Sequence, residues 1–483
     1  MATFYLTTTL PYVNAKPHIG HALEFIQADV ITRRRRTQGD EVIFNVGTDE
    51  HGLKIYEKAA EADMDVRDFV DMNVKTFTEF CKQFQVNYDS FYRTSDPKHL
   101  HVAQAFWKDA KKNGDIYEKT YTGLYCVGCE SFKTPKELVD GKCPDHLTEP
   151  IPYEEQNYFF RLSTYKDQLL HHITALLWKD GAFVQPPHKA TELANFVEQM
   201  EDISISRKKE NLPRGVPVPG DATQVMYVRF DALTNYVGAV GYPDDLEKLN
   251  TYRPTCVQIC GPDNLRFQWA IRQGMLASVQ LPFTHKLLVH GMILWPDGNK
   301  MSKTLWNVIS PMDQLEKYGL EAVRLYLIAG LPTYSDAAYK EDDLVVLYNS
   351  RLANSFGNLL SRVIQLANKK EITLDSSAVS AHIATELKKR KDEIATSFDH
   401  YELYHAAGQI HDLAIRANQY LDLQKPRDKE VDESDATQAI QDLGVCCQAL
   451  IDLYSPIIPA SCEKAQVMLE TQEKGVLFVK IGG

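Results

Sequence analysis

Long apolar runs are the first thing this sequence lacks. No stretch approaches the roughly 18 uncharged residues that a membrane-spanning helix needs, and the start, Met1-Ala2-Thr3-Phe4, has no basic segment followed by an apolar core. Both absences predict a cytoplasmic chain with no membrane partner. Cysteine is sparse: nine in 483 residues, three of them between positions 126 and 143. That excludes a disulfide framework and leaves reduced core thiols plus one cluster suited to a metal. Positive charge is also short, with 53 Lys and Arg against 65 Asp and Glu, a net −12. Broad nonspecific binding to nucleic acid is therefore excluded, and any such contact must rest on local basic patches. What remains, 44% hydrophobic and 24% charged residues, is an ordinary globular composition, long enough for about two to four domains.

The first organised stretch is the apolar run Phe4-Tyr5-Leu6-Thr7-Thr8-Thr9-Leu10, followed by a turn and then by apolar residues at helical spacing from Ala22 to Val30. This predicts strand, loop and helix. His18, Gly20 and His21 fall at the helix start, where backbone N–H groups and the dipole collect anions and a glycine permits close approach. A nucleotide phosphate suits that place, although two histidines in a helical turn are by themselves more often plain surface or core. Downstream stands Lys300-Met301-Ser302-Lys303-Thr304, after the turn Pro296-Asp297-Gly298-Asn299. Two lysines bracketing a hydroxyl can neutralise a triphosphate as charge shifts to departing pyrophosphate. The two segments, roughly 280 residues apart, resemble the His-Ile-Gly-His and Lys-Met-Ser-Lys signatures of class I aminoacyl-tRNA synthetases.

A second buried strand, Glu41 to Val46, leads into Gly47-Thr48-Asp49-Glu50-His51-Gly52. Polar residues at strand ends are where open α/β sheets bind ligands; Asp49 could hold an ammonium group, or else cap the helix that follows. Together with Leu10-Pro11-Tyr12, this run is similar to the methionyl-tRNA synthetase family nearly residue for residue. The resemblance implies that Leu10 and Tyr12 line the amino-acid pocket and Asp49 binds the α-amino group. It also implies that Tyr236 and Gln268 face the amino-acid side chain, with Gln268 standing where many relatives have His, and that Gly261 and Asp263 face the adenosine.

The fold expected is α/β. A Rossmann-like parallel-sheet catalytic domain is split into residues 1–115 and 221–344, the second part holding the lysine loop and a stem-contact region. A connective insertion at 116–220 interrupts it, and an α-helical anticodon-binding bundle follows at 345–483. In the insertion, Cys126 and Cys129 precede Cys143 and His146, a spacing that suits closed, structural tetrahedral Zn²⁺; a zinc knuckle is also what the resemblance implies there, in a family whose members differ in ligand set, which bears most on His146. Beyond about 345 no strand pattern remains. Leu352, Phe356, Leu359 and Val363 share one helical face, and further helices are expected near 381–397, 401–422 and 434–454. Asn358 and Arg362, one turn apart, match the family's anticodon-reading pair, and amide and guanidinium groups suit exposed base edges. The chain ends without the oligonucleotide-binding domain that some relatives carry, so a monomer is expected.

Four positions depart from the family in one direction: Arg214, Arg229, Arg272 and Arg427 stand where Trp is expected. Three depart in another, with Trp269, Trp295 and Trp306 where Gly is expected. Two of the arginines would touch methionine and one, Arg427, would stack on the anticodon. Taken literally, Arg229 and Arg272 would be buried cations that favour an acidic side chain over a thioether. Alternatively, the gene comes from a lineage that reads some Arg codons as Trp and UGA as Gly. Arg33-Arg34-Arg35-Arg36 belongs to the same set or is a basic patch.

The reading that follows is a methionine–tRNA ligase that uses ATP with Mg²⁺ and charges tRNA(Met), with His18, His21, Lys300 and Lys303 as catalytic residues and Gly20, Met301 and Ser302 completing the ATP site. Its rivals are a synthetase-like enzyme for another amino acid, a noncatalytic tRNA-binding relative, and a nucleotidyltransferase without tRNA.

Overall fold

The computed structural model describes residues 1–127, 131–133, 135, 138–144, 147–176, 183–301 and 308–482. The chain divides into two compact units.

The first comprises Met1–Lys16, Gly39–Cys81 and Asn87–His290. Its centre is a six-stranded sheet of β1 (Thr3–Thr7), β2 (Glu41–Thr48), β3 (Ser90–Arg93), β4 (Val184–Gln185), β5 (Cys256–Cys260) and β6 (Lys286–Val289). The order is β3-β2-β1-β5-β6-β4, and every pairing is parallel. β1 and β5 are buried almost throughout, as strands covered on both faces must be. The chain runs outward from β1 through β2 to β3, and after the far edge strand β4 it enters beside β1 at β5 and moves outward to β6, so the topological switch point lies between β1 and β5, where Thr7 pairs with Gln258. Such a point opens a ligand crevice at the strands' carboxyl ends. Trp107, Phe160, Phe230 and Trp269 belong to the core of this unit.

The insertion is antiparallel. Ile116–Cys126 pairs along its length with Ile151–Phe160, and Asp221–Met226 lies between Ser206–Lys208 and Pro217–Val218 in a separate three-stranded sheet. Asp221–Met226, at the start of the second catalytic segment expected from the sequence, is therefore not a strand of the parallel sheet. That sheet gains its edge strand earlier, at Val184–Gln185, inside the interval read as insertion. A two-residue strand is too short to leave a periodic signal, whereas Asp221–Met226 is a genuine strand of another sheet.

The second unit comprises Pro17–Gln38, Lys82–Val86 and Gly291–Gly483. Helix α1 (Ile19–Thr37) packs on α2 (Leu320–Ala329). Then come α3 (Gly357–Lys369), α4 (Ala381–Asp399), α5 (Leu403–Gln424), α6 (Glu433–Tyr454) and α7 (Pro459–Thr471). Leu352, Phe356, Leu359 and Val363 are all buried, and among the described residues no strand follows Ala338. The sequence reading missed α7, which starts with Pro459 at its first turn, a helix-start signal it could have used.

Candidate active site

In the second unit, His18 is the N-cap of α1, its Nδ1 accepting from the Gly20 N–H at 3.1 Å, while His21 Nδ1 accepts from the His18 N–H at 3.1 Å. The two rings stack with centroids 3.6 Å apart. Since each Nδ1 is an acceptor, the ring proton sits on Nε2 in both, which makes each imidazole a hydrogen-bond donor at its outer nitrogen. A methyl on Gly20 would lie 3.0 Å from the His18 ring, so glycine there keeps the approach open. The Ile19 N–H donates to Ile309 O at 3.0 Å, tying this helix start to the chain just beyond the lysine loop. Before that loop, Gly298 takes φ +86° in a turn closed by the Trp295 N–H to Asn299 O at 2.8 Å. Half-buried Trp295 is accommodated at the turn, and exposed Lys300 bridges back to Leu294. Met301 is half-buried. Ser302, Lys303 and Trp306 lie outside the described residues.

In the first unit, the loops after β1 and β2 run together. The Asp49 N–H donates to Pro11 O at 2.9 Å and the Val13 N–H to Asp49 O at 3.2 Å, so Tyr12 and Asp49 sit opposite one another. Tyr12 is exposed, Leu10 half-buried and Asp49 buried. The next helix, Leu53–Glu61, has Gly52 as its cap residue and no side-chain cap bond, which removes the alternative role for Asp49. Its neighbour Glu50 is committed elsewhere: Arg93 grips that carboxylate at 2.7 and 2.9 Å, and Thr48 Oγ1 donates to it at 2.8 Å.

Tyr236 is buried, its carbonyl accepting from Tyr5 Oη at 2.9 Å. The Arg272 guanidinium lies 4.3 Å from the centre of its ring and donates to Gln258, whose Nε2 donates to Gln268 Oε1 at 2.5 Å. Three expected pocket residues, Tyr236, Gln268 and Arg272, therefore come together. Gln258 joins them unannounced, since one glutamine inside a buried strand carries no motif. Arg253 was also missed: it is fully buried, and burial pulls its pKa down to about 10. Arg272 is 1% exposed, with Nε and Nη2 unpartnered. Trp269, in the π-helical stretch (Arg266–Ile271) that ends just before Arg272, is sealed with its indole N–H unpartnered. Arg229 is half-buried over the rings of Tyr227 and Phe267, at 5.5 and 5.2 Å. Gly261 follows β5 with the His290 ring 3.5 Å from where a Cβ would stand, and Asp263 is exposed on the turn after it. Arg214 is half-buried, and nothing in its surroundings explains a guanidinium there.

In the helical bundle, Arg362 and Arg427 line one cleft of about 310 Å³ with Asp422 and Lys425. Arg362 Nη2 donates to Asp422 Oδ1 at 2.7 Å. Asn358 is exposed one turn earlier on α3. In the insertion, Cys126 and Cys143 are buried and in no disulfide. Cys129 and His146 lie outside the described residues, and among the described residues no group of three metal-capable side chains occurs. No helix among the described residues is long and apolar enough to cross a membrane.

A sequence profile of class I tRNA synthetases (M) matches residues 4–150 and 146–364, and one of the anticodon-binding domain of tRNA ligases matches 380–477. Arg427 falls in the second match, Asn358 and Arg362 in the first. The methionine–tRNA ligase of Caldanaerobacter subterraneus is 35% identical over 96% of this chain and 73% of its own length; that of Thermosynechococcus vestitus is 36% identical over 95% and 88%. Mycobacterium tuberculosis methionyl-tRNA synthetase in complex with methionyl-adenylate superposes with a TM-score of 0.88, at 32% identity over 96% of this chain and 93% of that one. A parallel sheet with its switch-point crevice and a histidine-capped helix are what a class I aminoacyl-tRNA synthetase is built from, and the profile agrees. Within that class, identity along nearly the whole chain is more specific. The chain belongs to the methionyl-tRNA synthetase family.

Proposed function

We propose that this chain is an ATP-dependent methionine–tRNA ligase. It joins methionine to ATP as methionyl-adenylate, releasing pyrophosphate, and then transfers the methionyl group to the terminal ribose of tRNA(Met). The observation that carries the reading is the run of about 35% identity to methionine–tRNA ligases over 96% of the chain.

The methionine carboxylate attacks the α-phosphorus of ATP. Already ionised, it needs no general base, so positioning and electrostatics carry the step. Asp49 holds the α-ammonium group, while Leu10, Tyr12, Tyr236 and Gln268 surround the side chain, with Arg229 and Arg272 beside them. His18 and His21 donate from Nε2 to the phosphates; Lys300 and Lys303, with Met301 and Ser302 between them, neutralise the departing pyrophosphate. Gly20, Gly261 and Asp263 complete the nucleotide site, and Mg²⁺ bound with ATP supplies further charge there. Asn358, Arg362 and Arg427 read the anticodon. Cys126, Cys129, Cys143 and His146 would hold Zn²⁺, which would fasten the insertion; two buried thiols outside any disulfide fit that group. We take the enzyme to be a cytoplasmic monomer.

Amino-acid-dependent ATP–pyrophosphate exchange across all twenty amino acids tests this. Exchange with methionine alone is expected. Exchange with an acidic amino acid would transfer the assignment to an enzyme whose specificity Arg229 and Arg272 have changed.

A further inference from the structure

His51 and Asp231 stand 180 residues apart, yet His51 Nδ1 lies 2.7 Å from Asp231 Oδ2, with the two side chains 3% and 0% exposed. The pair joins two segments of the first unit. On one side, the His51 backbone N–H donates to Asp49 Oδ1 at 3.3 Å. On the other, Asp231 Oδ1 accepts the Ala232 N–H at 2.6 Å and its carbonyl accepts the Thr234 hydroxyl at 2.7 Å. Those bonds order the short helical turns that lead into Tyr236. A buried hydrogen-bonded pair of this kind adds little net stability over an apolar one, but it dictates geometry.

We propose that Asp231 is a positioning residue for amino-acid recognition. Through His51 it sets the Asp49 carboxylate for the substrate's ammonium group. It touches neither substrate nor nucleotide. The proposal rests on the assignment of Asp49 to the ammonium group. Displacing a binding carboxylate by an ångström costs about a hundredfold, and that loss falls only on ligands that carry the ammonium.

The test compares Asp231→Leu, His51→Leu and His51→Gln with the unsubstituted chain in methionine-dependent exchange, alongside the Ki of methionine's α-hydroxy analogue as a competitive inhibitor and the KM of ATP. Both Leu variants are expected to lower kcat/KM for methionine by about 10- to 100-fold, leaving the analogue's Ki and the ATP KM within about threefold. His51→Gln keeps an N–H for Asp231 and is expected to recover most of the loss. Adding Asp49→Asn to Asp231→Leu is expected to cost little more, because both act through one carboxylate. Equal weakening of methionine and its analogue, additivity with Asp49→Asn, or no change would overturn the proposal. If the Leu variants fail to fold, Asp231→Asn decides: it offers one carbonyl oxygen to two N–H donors, and an unchanged methionine-to-analogue ratio would overturn the proposal. Absence of methionine-dependent exchange in the unsubstituted chain would overturn the function itself.

Discussion

Arg324 Nη2 donates to Asp29 Oδ2 at 2.6 Å, with both side chains at 0% exposure. Its Nε and Nη1 donate to the carbonyls of Ile457 and Phe84 at 2.7 and 2.8 Å. Asp29 also takes Arg33 Nε at 2.8 Å. A buried guanidinium treated in this way is fully compensated, and the bond fastens the histidine-bearing α1 to α2. Asp29→Ala is expected to destabilise the chain by about 3–5 kcal/mol, because it strands a sealed cation. A calorimetric midpoint that does not fall would refute this account of the pair.

Arg253 and Arg272 are equally buried and have no such partners. Arg272 bonds Gln258 and lies over the Tyr236 ring, Arg253 bonds the Cys256 side chain and reaches Thr284 at 3.4 Å, and two nitrogens of each have no hydrogen-bond partner. Replacing such cations with neutral groups of similar size is expected to stabilise by about 1–4 kcal/mol. Arg272→Trp and Arg253→Met should thus raise the unfolding midpoint, and Arg272→Trp should retain methionine exchange. If the code is reassigned at 272, peptide mapping of the chain from its own cells is expected to find Trp at 272 and Arg at 324. Arginine at 272 in that chain, or a lowered midpoint for Arg272→Trp, would end this explanation.

The cap and the proposed phosphate contact of His18 use different ring atoms. Its Nδ1 caps α1 by accepting the Gly20 N–H, and its Nε2–H is the donor proposed for the phosphates. His18→Ala is expected to lose both: about 1 kcal/mol of stability and roughly 10²–10³ in the rate of exchange, the usual worth of one donor at developing negative charge. Asn is a good cap without a nitrogen at the Nε2 position, so His18→Asn should restore the midpoint and leave the rate low. Equal recovery of both would show that the imidazole acts only as a cap.

Much of this was legible. The 3.6-residue apolar spacing gave α1 and most of the bundle, and the short motifs, which act through the backbone, placed His18, His21 and Asp49 at element ends. What escaped was long-range. Gln258, Arg253 and Asp231 owe their roles to partners brought beside them by the parallel sheet and its connections, and no local pattern encodes a contact across 180 residues such as His51 with Asp231. The edge strand at Val184–Gln185 escaped because it is pinned by β6 and not by its own two side chains.

His99 supplies a test of folding against pH. It is fully buried against Tyr92, with ring centroids 5.5 Å apart, and neither ring nitrogen has a partner. Burial pulls its pKa from 6.5 down to about 4. Between those values the unfolded chain binds a proton that the folded chain refuses, so stability is fully present above pH 6.5 and is lost as pH falls toward 4. At pH 5 the loss from this one group is about 2 kcal/mol. His99→Phe, which keeps an aromatic ring and removes the titration, is expected to flatten the dependence of the denaturation midpoint on pH between 7 and 5 by that amount. An unchanged slope would mean that His99 is not the proton acceptor in the unfolding equilibrium, and that the acid sensitivity of the first unit lies with its paired carboxylates.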